Sequence, residues 1–350
     1  AVVFTMPNTR PTCDEPARIQ HVDALAEAAG AVEVVSVSAL SRGLRGEALV
    51  DLEAMAAAGA GGFSDDGAWL AAERLAREAL RWSARNDMLV MQHCEDFQMT
   101  GPGVLHECDC VQRRGLPGIP RESEDRAVER DIRLAESENA RLHVCHVSTA
   151  GAVDAIRRAQ ERGLPITGEV TPHHLVLTAE DAVAGGTDFK MKPPLREQED
   201  VDALITALAD GTLAAVATDH APHSDARKAE GFSGAPFGAI GMETAFPVLF
   251  TRLVATGALG LERLVESLTA GPCGVVRRAA PRIAVGAPAQ LNWIDTATRR
   301  TVDRRELVSR SLNCPFHGLA LRGWPVASLL GGSLLRHFDR VPVRIRTNST

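Results

Sequence analysis

The chain has 350 residues, 45% hydrophobic and 24% charged, an ordinary composition for one large core with a small second unit. Its formal charge of −7 gives no basic footprint for nucleic acid, and no apolar run approaches the roughly 20 residues that span a bilayer. The opening stretch AVVFTMPNTRP lacks the basic and apolar regions of a secretory leader, so a cytoplasmic protein is expected.

Taken in chain order, short apolar runs alternate with longer amphipathic ones, the pattern of parallel strands joined by helices. Strands are expected at 2–6, 32–38, 60–64, 88–93, 141–147, 165–170 and 213–218. Helices are expected at 17–29, 46–58, 68–83, 123–139, 149–162 and 198–208. A (β/α)₈ barrel needs eight strands; seven are found, so the first is expected upstream of Ala1. The barrel, strands two to eight, is assigned to 1–282. The C-terminal part of a small β domain and its tail take 283–350, with strands at 290–294, 301–302, 319–321 and 341–345 and a frayed end.

Seven cysteines without a CxxC pair suit a reducing compartment. Cys108 and Cys110 flank an aspartate and read as reduced loop residues rather than a metal site. Tyrosine is absent and three lysines stand against 35 arginines, which reads as genomic base composition.

The residues that end the strands carry the chemistry. With the upstream strand counted as the first, the second ends at Asn8, the fourth at Asp65 and Asp66, the fifth at His93 and the sixth at His146. The eighth ends in Asp219, His220 and His223. In a parallel barrel these ends open on one face, where catalytic groups converge. Two imidazoles and two carboxylates meeting there form an N and O ligand set suited to zinc. Side chains alternate along a strand, so His143 and His146 face opposite ways, and His146, at the end, is the better ligand. By the same parity Asp65 and Asp66 cannot both bridge metals. His173 and His174, which follow Pro172, read as structural or supporting residues.

These residues lie in a run of motifs: MPNTRPTCD (Met6–Asp14), FSDDG (Phe63–Gly67), QHCED (Gln92–Asp96), HVCHVST (His143–Thr149), EVTPHHLVLT (Glu169–Thr178), KMKPPLR (Lys190–Arg196), ATDHAPH (Ala217–His223), GAPFGAIGMETAFP (Gly234–Pro247) and SRSLNCPFHG (Ser309–Gly318). Together they resemble the dihydroorotase family over nearly the whole chain, in its bacterial type with aspartate on the fourth strand. Hydantoinases and most allantoinases place a carboxylated lysine there, and 60–66 contains no lysine.

The resemblance implies an α/β fold: a TIM-like (β/α)₈ barrel of a metal-dependent hydrolase, with a small β domain. It implies two Zn2+ ions per active site in the complete protein. Asp66 would bridge them, His93 and His146 would bind the second, and Asp219 would bind the first and act as general acid/base. Asn8 and His223 would hold the substrate carboxylate, and the Phe237–Gly238 backbone would meet the dihydropyrimidine ring. The implied reaction is reversible cyclisation of N-carbamoyl-L-aspartate to L-dihydroorotate in pyrimidine synthesis. In the hydrolytic direction an activated water attacks the ring amide, and Asp219 passes the proton to the departing nitrogen. Implied partners are a small-molecule substrate, a second copy in a homodimer, and aspartate carbamoyltransferase, with no nucleic acid or membrane. Competing readings are a non-catalytic scaffold for that transferase and a hydrolase of hydantoin-like rings.

Two departures stand out. The family's HxHxR segment, with two zinc ligands and a substrate-binding Arg, is absent and is expected upstream; His21–Asp23 is the nearest string but lies in a helical stretch. The family's NPPLR reads KPPLR, so Lys192 stands where an asparagine normally contacts substrate. Its ammonium either pairs with a substrate carboxylate or turns out to solvent.

Overall fold

A computed structural model describes residues 2–30, 32–330 and 333–336. The apolar runs form parallel strands in sequence order. Strand β1 (Val2–Thr5) pairs with β2 (Glu33–Ser36), Val2 lying opposite Glu33. Further along, β3 (Val90–Gln92) is followed by a short parallel pair, β4 (Leu105–His106) and β5 (Gly118–Ile119). Then β6 (Leu142–Val144), β7 (Ile166–Val170) and β8 (Ala215–Val216) complete a four-stranded parallel sheet in the order β3-β6-β7-β8.

The expected strand at 60–64 is reduced to single bridges, Phe63 pairing with Ser38 on one side and Val90 on the other. It still joins β2 to β3 through backbone bonds, so the parallel wall is continuous from β1 to β8. Its glycines explain the thin pairing: a Cβ on Gly61 would fall 2.1 Å from Val35 Cγ1, so only a bare backbone passes there. The expected helix at 46–58 is also shorter. It begins at Leu52, capped by Asp51, because the preceding residues turn back and Leu49 bridges to Ser41.

Helices cover the outside of this wall. Glu73–Asn86 buries Leu75, Ala76, Ala79, Leu80 and Ser83 along one stripe, the spacing of a helix half-sunk in a core. Glu122–Glu138, Ala150–Glu161 and Gln198–Asp210 do likewise. Strand residues of one parity, such as Val90, Leu142, Val144 and Ile166, join them in the main core. Residues of the other parity, including Leu89, Met91 and Cys145, form a separate inner cluster with Val37 and Val275.

Beyond the wall, β9 (Gln290–Asp295) pairs antiparallel with the later β12 (Trp324–Leu330), which also pairs with β13 (Ser333–Arg336). Between them β10 (Arg300–Thr301) meets β11 (Ala320–Leu321). Val302, Phe316, Leu321 and Trp324 share one core with Leu105, Met191, Leu195 and Ile240, so this part packs directly on the loops above the sheet. The expected strand at 341–345 and the frayed tail lie outside the described residues. No helix among the described residues is long and apolar enough to cross a membrane.

One expectation is corrected. Cys108 and Cys110 are not reduced loop thiols but a disulfide. Cys108 caps the short helix Asp109–Gln112 with extended backbone, and the turn from cap to helix brings the two Cα atoms to 5.4 Å. The other five cysteines are free.

Candidate active site

The mouth of the wall gathers side chains from successive strand ends. His93 directly follows β3, His146 lies two residues past β6, and Asp66 follows the bridge at Phe63. His93 Nδ1 and His146 Nε2 stand 3.0 Å apart, and His146 Nε2 is 3.8 Å from Asp66 Oδ1. One ligand atom from each of the three falls within 4.8 Å of the others. Two imidazole nitrogens and a carboxylate oxygen converging in this way suit a divalent transition metal such as zinc.

Asp219, three residues past β8, stands close enough for its charge to act on His146, though it lies outside that tight trio. Burial opposes charge on His146, but the hydrogen bond to Asp66 and the charges of Asp219 and Asp66 outweigh it and lift the imidazole to about 9. Burial raises the Asp219 carboxyl to about 6, against the pull of His146. Both residues hold left-handed backbone, φ 37° at His146 and 43° at Asp219, a conformation uncommon outside glycine.

The residues expected to bind substrate are spread around this centre. Asn8 Nδ2 donates to Asp66 Oδ2 at 2.6 Å. His223 donates from Nε2 to the Phe237 carbonyl at 2.8 Å, and its own amide donates to Asn313 Oδ1. The Gly238 carbonyl accepts from Lys228 and Asn313. Lys192 does not turn out to solvent. Its ammonium pairs with Glu95 at 3.2 Å, 4.4 Å from the Phe97 ring centre and 5.2 Å from that of Phe237.

Parity sorts the neighbours. Asp65 turns inward and accepts from the Leu40 and Ser41 amides, both at 2.8 Å, and from the Ser41 hydroxyl, which anchors the chain just before Asp66. His143 lies 2.8 Å from Thr167 Oγ1 and 3.2 Å from Glu169, in a second group with Cys145 inside the wall. His174 donates from Nε2 to the Pro193 carbonyl and accepts from Thr171, so burial keeps it neutral with a pKa well below the usual value. Burial likewise pushes His173 down to about 3.

Glu95 is the functional candidate that strand-end reasoning missed. It is 2% exposed, and its Oε2 lies 3.1 Å from His93 Nε2. Thr100 donates to its other oxygen at 2.7 Å. The carboxylate therefore fixes the proton of His93 on Nε2 and leaves Nδ1 as a lone pair facing His146. Glu95 follows the strand by three residues, where alternation no longer says which way a side chain points; only its place in QHCED could have flagged it.

The chain is similar to known proteins along nearly its whole length. A family model described as Dihydro-orotase-like matches residues 1–152. The chain is 42% identical over 333 residues to a dihydroorotase of Bacillus caldolyticus, a match covering 95% of this chain and 78% of that protein. It is 48% identical over 340 residues to a dihydroorotase of Anaeromyxobacter dehalogenans, covering 97% and 78%. Among solved structures, an L-hydantoinase (dihydropyrimidinase) of Arthrobacter aurescens superposes with a TM-score of 0.83 at 24% identity, over 96% of this chain and 77% of that one. That likeness shows the TIM-barrel fold. With over two-fifths of its residues shared along nearly its whole length, the chain belongs to the dihydroorotase family of cyclic-amide hydrolases.

Proposed function

We propose that this chain carries the reaction centre of a zinc-dependent dihydroorotase, which interconverts N-carbamoyl-L-aspartate and L-dihydroorotate in pyrimidine synthesis. The observation that carries the proposal is the convergence of Asp66, His93 and His146 within 4.8 Å, beside a half-buried Asp219 whose charge acts on His146. Zinc, when bound, would supply an activated water and polarise the ring amide carbonyl. Asp66, His93 and His146 would hold it, with Asp219 beside them.

The chain's own groups then divide the work. Asp219 would take a proton as the water attacks and return it to the departing ring nitrogen, so the proton taken up in the first half of the reaction is the one given back in the second. Asn8, Lys192 and His223 bind the substrate carboxylate, and the Phe237–Gly238 backbone holds the ring. Asn8 would release its bond to Asp66 in doing so. The same reading places the barrel at 1–282 and the small β domain at 283–350, in a cytoplasmic enzyme that pairs with itself and with aspartate carbamoyltransferase.

The test is dihydroorotate hydrolysis in zinc, with the protein and its Asp219→Asn variant, hydantoin being run in parallel. Loss of at least a thousandfold in the variant is expected, and equal rates would sink the mechanism. Faster turnover of hydantoin than of dihydroorotate would replace the substrate assignment.

A further inference from the structure

All three lysines of the chain, against 35 arginines, meet at one segment. Lys190 Nζ donates to the Phe232 carbonyl and, at 2.6 Å, to that of Ala235. Lys228 Nζ donates to the carbonyls of Pro236 at 3.1 Å and Gly238 at 3.0 Å. The Phe237 carbonyl between them accepts from His223. Four successive carbonyls, 235 to 238, are thus each taken by a side-chain donor. The segment runs between the short helix Gly231–Gly234 and the bridge of Ala239 to His220, so no helix or sheet ladder satisfies it.

We infer that Lys190 and Lys228 form a paired ammonium clamp that positions the Phe237–Gly238 backbone, and that this role requires lysine. A compact ammonium with three rotatable donors can serve two carbonyls converging from one chain; a planar guanidinium is wider and presents its donors in a fixed fork. Both side chains are enclosed, Lys190 being 2% exposed and Lys228 4%, so a larger head would have to displace the groups packed around it. A compositional drift toward arginine explains the lysines that are missing. It does not explain why two of the three survivors, 38 residues apart, bond the carbonyls of one segment, and the clamp does. Gly238 marks how tightly the segment is held: at φ 122° a Cβ there would fall 2.6 Å from Ala221 Cβ. The inference rests on the reading that this backbone faces the substrate ring. Lys190 and Lys228 are positioning residues and touch no substrate.

The test compares Lys228→Arg, Lys228→Met and Lys190→Arg with the parent protein by hydrogen exchange, zinc affinity and steady-state kinetics. The clamp predicts amide exchange at 235–241 at least tenfold faster in all three variants. It also predicts a KM for dihydroorotate at least tenfold higher, kcat within about threefold, and unchanged zinc affinity. Arginine should not rescue. A Lys228→Arg protein with parental exchange and a KM within twofold would overturn the inference, because positive charge alone would then suffice. A parallel loss of zinc affinity would overturn it too, as the mark of general collapse. If Lys228→Met does not fold, the two arginine variants decide. Exchange and zinc affinity are read without substrate, so a parent protein that ignores dihydroorotate would sink the functional reading alone.

Discussion

Replacing Glu95 by glutamine should weaken zinc binding by about 10–100-fold, or roughly 1.4–2.7 kcal/mol, the range for outer partners of a metal-bound histidine. The substitution nearly conserves shape, so the 2% exposed site need not repack. Two electrostatic supports disappear together. The bond from His93 Nε2, 3.1 Å long, loses its charged acceptor, and a neutral bond is about half as strong. The Lys192 ammonium, 3.2 Å from the old carboxylate, is left without its counter-charge beside a site that must take up a cation. Zinc affinity measured by competition with a chromophoric chelator at fixed pH reads the sum. The double variant Glu95→Gln/Lys192→Met separates the terms, since it removes the stray ammonium and should recover part of the loss. A Glu95→Gln dissociation constant within twofold of the parent would refute the idea that this carboxylate orients His93.

Lys192→Asn, which restores the residue usual in the family, should change the KM for dihydroorotate at least several-fold; an unchanged value would show that the ammonium only serves Glu95. Arg196→Met should cost about 3–5 kcal/mol in chemical denaturation, because it strands the buried Glu124 carboxylate 3.1 Å from the lost guanidinium. The Ser148 donors that remain on Glu124 favour the low end, and a loss under about 1 kcal/mol would contradict the ion-pair account. Burial, and then the charge of Arg196, depress His106 to about 4. The unfolded chain therefore binds the extra proton first, and stability should fall as pH drops from about 6.5 to about 4, by up to about 3 kcal/mol. Denaturation midpoints at pH 7 and 4.5 check this, and an identical pH slope in His106→Asn would count against it.

Reading the strand ends draws attention to both His143 and His146, and in the structure the two part company: the His146 ring, two residues past β6, meets His93 and Asp66, while the His143 ring, still within the strand, turns to Thr167 and Glu169 inside the wall. Alternation gives no guide once the chain leaves the strand. Glu95 and the Lys192 ion pair depend on loop paths that no period encodes. The β4–β5 pair is two residues long on each side, too short for a pattern to register. The antiparallel pairing of β12 with β13 was not expected, because WPVASLL carries no regular alternation of apolar and polar residues. The Cys108–Cys110 bond escaped because spacing alone does not reveal the turn that brings the sulfurs together. The motifs pointed to the Phe237 segment, but not to the convergence of every lysine upon it.

The left-handed backbone at His146 and Asp219 also limits which replacements evolution or the bench can try there. Outside glycine, that conformation is several-fold enriched in asparagine, aspartate and histidine, so two of the residue types that bind zinc best are also among the few the main chain accepts. A β-branched or bulky replacement at either position would meet a conformational cost of roughly 1–2 kcal/mol before any chemistry is lost. Mutational paths away from these two residues are therefore narrow for reasons of shape as well as ligation. Asparagine is the substitution that changes the chemistry while leaving the main chain at ease.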